Sequence, residues 1–191
     1  MPRAHSTQAI VTNEPEIRAA AVVYRVGEHD RRALIDFARE LADGGCRLGG
    51  MVQEAYFDDR GRRTHIDSVD LATGDHVMIN QPSRNWHCKE CTLDTAALAD
   101  AGAPLRRALI DRPDLVIAEK FGDQEEVGDG LSDDILAVIA DGLPILVLVP
   151  EPALPRWRDV TGGEIAELPC DAESLRQWWS GPGGGVRSRI K

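Results

Sequence analysis

AAVVYRVGEHDRRALIDFARELADGG, residues 20–45, decides the fold. The apolar run Ala20–Tyr24 predicts a buried strand, and a short polar loop follows it. Ala33, Leu34, Phe37, Ala38 and Leu41 then recur at helical spacing, with Asp30 placed to cap the helix. Gly44 or Gly45 supplies the left-handed residue that ends it. Strand, loop and helix in this order form the first half of a βα unit, whose loop in many α/β proteins holds a phosphate. This loop, Arg25-Val26-Gly27-Glu28-His29-Asp30-Arg31-Arg32, has one glycine, no lysine and no hydroxyl side chain.

Further along, the same alternation returns. DLVIAEKF (114–121) and LPILVLVP (143–150) are short continuous apolar runs of the kind that parallel strands show when both faces are covered. LSDDILAVIADG (131–142) is a helix closed by Gly142. EPALPRWRDVTGG (151–163) is a short helix, EIAELP (164–169) a short edge strand and DAESLRQWW (171–179) a last helix in which Trp178 and Trp179 lock onto the sheet. TLDTAALADAGAPLRRALIDRP (92–113) predicts a helix from about Asp94 that Pro104 bends or divides. One segment breaks the pattern. CRLGGMVQEAYFDDRGRRTHIDSVDLATGDHVMINQ (46–81) alternates short apolar stretches with turns at Asp59-Arg60-Gly61 and Thr73-Gly74-Asp75, which predicts a strand followed by a hairpin or meander. Ile66, Val69, Leu71, Val77 and Ile79 are its expected inward positions.

The fold class expected is therefore α/β: a three-layer open sheet, mainly parallel, with an inserted β-hairpin. Residues 18–180 form the single expected domain, between a flexible segment 1–17 and a disordered Gly-rich tail 181–191 (GPGGGVRSRIK). Ligands of such sheets sit beyond the carboxyl ends of the strands. Here that rim carries YRVGEHD, EKFGDQEEVGDG and VPEPALP.

Composition removes whole classes of function. The 191 residues hold 22 Lys and Arg against 32 Asp and Glu, a net charge of −10, so there is no basic footprint for nucleic acid or for an anionic membrane surface. MPRAHSTQAIVTNEPEIR (1–18) has no apolar core of a leader, and no apolar run is long enough to span a bilayer. The expected location is the cytoplasm, where thiols stay reduced, so Cys46, Cys88, Cys91 and Cys170 do not read as a disulfide framework.

Two places could carry chemistry. At the end of the run Leu115–Ala118, Glu119 occupies the usual position of an acidic metal-binding side chain, and Lys120 brings a cation beside it. Gly122, Gly128 and Gly130 allow close backbone approach, and a helix N-terminus follows from Leu131. Together with Gly27 and Arg31 they form a candidate site for a small anion. The competing reading is that Glu119 and Lys120 pair at the surface, the glycines only turn the chain, and Arg31 and Arg32 lie on a solvated helix face. The second place is HCKEC (87–91). Cys88 and Cys91 have the spacing at which two thiolates share one zinc ion, with His87 adjacent. A further ligand would come from Cys46, Cys170, His65, His76 or a second chain, and the alternative is an ordinary loop with two reduced cysteines.

GGMVQEAYFDDRGRRTHIDSVDLATGD (49–75) resembles the Gly-Gly strand and hairpin of the small P-loop nucleoside-triphosphatases first described from thermophiles, and DLVIAEKFGDQE (114–125) resembles their apolar strand ending in acidic residues. CTLDTAALADA (91–101) and EKFGDQEEVGDG (119–130) look closer to a bacterial family of unknown function. Genes of that family often lie beside molybdate-transport genes, and its members lack the intact phosphate loop. The resemblance spans roughly residues 18–179. It implies a P-loop scaffold whose loop has degenerated. The intact loop uses several glycines, a lysine for the β/γ charge and a hydroxyl for Mg²⁺, and here only Gly27 is left, beside Glu28 and Asp30. The resemblance also places a family cysteine at Cys91 but none at Cys88. It implies a nucleotide- or oxyanion-binding protein, the ligand being a nucleotide or molybdate, in molybdenum uptake or cofactor supply. Two alternatives stay open: a weak or altered nucleoside triphosphatase in which Glu119, Lys120 and Arg31 act, and a small Cys/His metal-binding protein with zinc. Whether the chain forms a homodimer is open as well.

Overall fold

The computed structural model describes residues 17–25, 31–80, 102–119, 121 and 131–181; of Arg31 and Asn80 it describes the backbone only. The expected terminal segments therefore lie largely outside the described residues. So do the loop 26–30, the cysteine segment 87–91 and the start of a helix near Asp94.

Seven strands form one sheet in the order β4-β3-β2-β5-β6-β1-β7. They are β1 Ala19–Tyr24, β2 Leu48–Phe57, β3 Arg63–Asp70, β4 His76–Asn80, β5 Leu115–Glu119, β6 Ile145–Pro150 and β7 Ala166–Pro169. β2, β5, β6, β1 and β7 run parallel, while β3 pairs antiparallel with both β2 and β4. The insert is thus a meander that widens the sheet at one edge. The connections within the parallel part carry helices, as a right-handed crossover requires. Among the described residues the helices are α1 Arg31–Asp43, α2 Ala103–Asp111, α3 Ser132–Ala140, α4 Leu154–Thr161 and α5 Ala172–Ser180, with a 3₁₀ turn Glu151–Ala153 before α4.

Three layers result. α2, α3 and α4 cover one face through Leu105, Ile135 and Trp157. α1 and α5 cover the other through Leu34, Phe37, Leu175, Trp178 and Trp179, as the sequence predicts for the paired tryptophans. β5 and β6 lie between them and are buried along their whole lengths. Each fully buried Leu or Ile there stabilises the fold by about 1.5–3 kcal/mol, so these two strands anchor the sheet.

The two glycines that open β2 have different reasons. A Cβ on Gly49 would stand 2.7 Å from the Pro113 side chain. Gly50 has φ +85°, and a Cβ there would lie 2.1 Å from the carbonyl oxygen of Ile117 on β5. No side chain fits. Gly45 (φ 86°) and Gly142 (φ 73°) are the left-handed residues that follow α1 and α3.

One sequence expectation changes. Val77 is 39% exposed on β4, the sheet's outermost strand, whereas Ile79 is buried, the register with β3 slipping at Ile79 between the pairs Asp67–Met78 and Ile66–Asn80. Pro104 sits in the first turn of α2, where its missing N–H costs no helical bond, and the residues before it that the expected helix would fill, 94–101, lie outside the described ones. Ile66 and Val69 do pack inward, but on opposite faces. No described helix is long and apolar enough to cross a membrane.

Candidate functional site

All five parallel strands point their carboxyl ends to one rim, where β1 ends at Tyr24, β5 at Glu119, β6 at Pro150 and β7 at Pro169. β6 lies between β1 and β5, so the loop after β1 and the acidic end of β5 flank the end of one intervening strand.

Glu119 is 1% exposed. One carboxylate oxygen accepts the backbone N–H of Gln53 on β2 at 2.9 Å. β2 runs on past the last ladder pair, Met51 with Ala118, and it is this overshoot that brings Gln53 level with the carboxylate. Burial takes Glu119 off the surface; whether it pairs with Lys120 lies outside the described residues. Next to it, the Phe121 N–H donates to the Leu148 carbonyl at 2.9 Å, and the Phe121 ring packs edge-on against Trp157 with centroids 5.3 Å apart. The chain leaving β5 is therefore fastened over β6 on both sides of Lys120. Lys120 itself, with Gly27, Gly122, Gly128 and Gly130, lies outside the described residues. Arg31 opens α1, its side chain outside the description, and Arg32 is an exposed helix-face residue 3.7 Å from Asp36, the solvated alternative for Arg32 alone.

Beside the segment after β1 the rim opens into a cleft of about 530 Å³ between the ends of β1 and β7. Val23, Leu154, Leu168 and Pro169 are among its lining, as are the charged residues Arg25, Glu151, Glu167 and Asp171. Arg25 and Glu151 pair across it at 3.3 Å. Glu167 is held by Arg158 through two bonds of 2.6 Å, which hold its carboxyl below the usual range. The sequence reading missed this cleft. Its one signal was a charged residue directly after each of two apolar strands, Arg25 after β1 and Glu151 after β6.

A second polar group lies on the meander. Asp67 stands 3.8 Å from His65 Nε2 and 3.4 Å from His76 Nδ1. Tyr56 stacks on His65 at 4.4 Å and donates to Glu54 at 3.2 Å; burial, then this acceptor, pushes the Tyr56 hydroxyl up from its ordinary pKa. Among the described residues no three His, Cys, Asp or Glu side chains are arranged to hold a metal ion. His87, Cys88 and Cys91 lie outside those residues. Of the further ligands considered for them, Cys46 precedes β2 at the amino end of the sheet and Cys170 follows β7 at the carboxyl end. The two cannot join one site in one chain.

Comparison with known proteins agrees with the fold. A human cancer-related nucleoside triphosphatase, solved in solution, superposes with a TM-score of 0.60 over 80% of this chain and 88% of that one, at 16% identity. At that identity the likeness concerns the fold, which is of the P-loop nucleoside-triphosphatase type. The molybdenum import ATP-binding protein ModC 2 of Bradyrhizobium diazoefficiens is 37% identical over 162 residues. Those residues are 85% of this chain but only 18% of that protein, so the chain spans less than a fifth of the length of this relative. The family model described as protein of unknown function DUF2478 matches residues 19–178, and the chain belongs to that family.

Proposed function

We propose that this chain is a nucleotide-binding module on a degenerate P-loop scaffold, serving molybdenum import and holding its ligand without efficient turnover. The observation that carries the reading is the buried carboxylate of Glu119 at the end of β5, one strand removed from the loop after β1. Burying an ionisable carboxylate is costly, and an isolated helix cap or turn gives no reason to bear that cost. A carboxyl group fixed at the ligand rim beside Lys120 does. The loop of residues 25–32 argues against fast hydrolysis, since it has neither the lysine that neutralises β/γ charge nor the hydroxyl that holds Mg²⁺. The link to molybdenum rests on the relative whose name states it and on the genes beside which the family lies.

Calorimetric titration with MgATP, MgGTP, phosphate and molybdate tests the reading. A nucleotide binds with a dissociation constant below about 100 μM, and Lys120→Ala weakens it by at least about tenfold. Absence of heat with all four ligands overturns it. The alternative, a slow nucleoside triphosphatase, is favoured by the same acidic side chain. It requires Mg²⁺-dependent phosphate release that falls by about 10²-fold in both Glu119→Gln and Lys120→Ala, whereas the binding reading expects no such release from wild-type protein.

A further inference from the structure

We propose that His65 and Asp67 on β3 form a proton-binding pair that clamps the meander, so that this edge of the sheet tightens on mild acidification.

Facing the pair are Glu54 and Tyr56 of β2 and His76 of β4, with Thr64 beside it on β3. Their hydrogens can be placed one by one. Thr64 has a single hydroxyl hydrogen, and its Oγ1 lies 3.1 Å from the Tyr56 carbonyl, which only accepts. The same Oγ1 is 3.0 Å from His65 Nδ1, so Nδ1 is the donor there, and neutral His65 carries its hydrogen on that nitrogen. Its Nε2 is then a bare lone pair. The Tyr56 hydroxyl donates to Glu54 at 3.2 Å, and burial, then that acceptor, keeps the hydrogen on it. Tyr56 Oη is therefore an acceptor for His76 Nδ1 at 3.4 Å, and that N–H also faces Asp67 Oδ2 at 3.4 Å. One atom is left over. Asp67 Oδ1 is buried without a hydrogen-bond partner, and the group facing it, 3.8 Å away and beyond hydrogen-bond range, is the bare Nε2 of His65.

One proton resolves this. On Nε2 it donates to Oδ1, on Oδ1 it donates to Nε2, and either way two facing acceptors become one hydrogen-bonded pair. The new bond completes a chain already fixed at both ends: His65 stacks on Tyr56 with ring centroids 4.4 Å apart, and Asp67 reaches His76. All three strands of the meander are then joined through side chains. Each histidine faces a different oxygen of Asp67, which suits a relay of hydrogens and not a shared metal ion. The clamp lies beside the rim, since Glu54 directly follows Gln53, whose N–H holds Glu119.

NMR gives the first readout. Long-range proton–nitrogen spectra at about pH 8 show the His65 hydrogen on Nδ1 and none on Nε2, and the Nε2 signal changes to that of a protonated or hydrogen-bonded nitrogen by about pH 6. A hydrogen on Nε2 at the higher pH overturns the assignment. Asp67→Asn supplies the second readout. Its amide N–H sits where the proton goes and its oxygen still accepts from His76, so the variant carries the missing hydrogen at every pH. A proton held only by the folded pair contributes stability that is present at the acid end of this window and lost as pH rises. The wild-type melting temperature therefore gains about 2–4 °C on that of Asp67→Asn between about pH 8 and about pH 6. His65→Phe, which keeps a ring against Tyr56 and has no nitrogen, serves where Asp67→Asn does not fold, and the wild type gains on it by a similar amount. A difference between the wild type and the folded variants that stays constant over the window overturns the proposal.

Discussion

The buried carboxylate of Glu119, at the end of β5, is held by the main-chain N–H of Gln53 on β2 at 2.9 Å. The bond joins the last residue of one strand to a point where its neighbour has already outrun the ladder. It fixes the carboxyl at the rim and also ties the meander to the parallel sheet. Removing the carboxylate and keeping its shape therefore separate two roles.

Glu119→Ala leaves a buried N–H without its acceptor and should destabilise the protein by about 1–3 kcal/mol. Glu119→Gln retains an oxygen that can accept the bond, so it should unfold within about 1 kcal/mol of the wild type while changing nucleotide affinity or its Mg²⁺ dependence. Urea unfolding followed by circular dichroism, beside calorimetry, checks both. If the two variants lose equal stability, the Gln53 contact is not what holds Glu119.

Gly50 makes the sharpest claim about the fold. An alanine there must adopt a left-handed backbone and press against the Ile117 carbonyl. The two penalties, about 1–2 kcal/mol for the backbone and about 1–3 for the clash, predict a loss of roughly 2–5 kcal/mol. Gly61, also left-handed (φ 71°) but with nothing near its missing Cβ, gives the control. Gly61→Asn should be close to neutral, because asparagine tolerates that conformation. A Gly50→Ala protein as stable as the wild type would mean that β2 and β5 do not approach as closely as described.

Much of this fold was legible because it rests on local pattern. Ile145–Val149 could be read as a buried strand from five aliphatic residues in a row, and the turns at Gly61 and Gly74 announced the meander. What was not legible depends on order in the sheet. Val77 and Ile79 look alike in sequence, yet on the outermost strand Ile79 is buried and Val77 is exposed. Glu119 looks like a surface charge until Gln53 is known to reach it, and a main-chain N–H leaves no signature in residue type. The cleft behaves in the same way. Arg25 and Glu151 lie far apart in sequence and meet because β1 pairs with β6. The Gly-Gly pair is the exception in the other direction. Its spacing marked a motif, and the structure supplies the reason in the approach of Ile117.

Helix α5 carries the acid sensitivity of its face. Asp171 caps it, accepting from the backbone N–H of Ser174 at 2.8 Å, and this bond holds the carboxyl below its usual pKa. Glu40 on α1 is likewise lowered, first by the hydrogen bond from Arg176 on α5, which pins the two helices together. A carboxylate lowered in the folded state contributes stability that is present above its unfolded pKa, near 4, and is lost as pH falls through the lower folded value. Melting temperatures should thus drop below about pH 4. Asp171→Ala should melt lower than wild type at neutral pH, and the gap should close as pH falls well below about 4 and the wild type loses the same bond. A gap that stays constant with pH would show that the cap acts through the backbone alone.

Thiol chemistry gives the last prediction. The Cys46 thiol is pushed above its ordinary pKa by burial and, second, by the Asp114 carboxylate, and Cys170 is buried. A raised pKa lowers the thiolate fraction near neutral pH, and the thiolate is the attacking species. In native protein at pH 7.5 both should react with a disulfide reagent more slowly than a free thiol, and Asp114→Asn should speed Cys46 only modestly, since burial is the larger cause. Because Cys46 and Cys170 sit at opposite ends of the sheet, any zinc bound through Cys88 and Cys91 must complete its shell without at least one of them. Protein purified without a metal-affinity tag should then show fast labelling of Cys88 and Cys91 only after a chelator is added, together with about one zinc per chain that Cys88→Ser/Cys91→Ser abolishes. Fast labelling of two thiols before the chelator, with no zinc by elemental analysis, would make the segment an ordinary loop with two reduced cysteines.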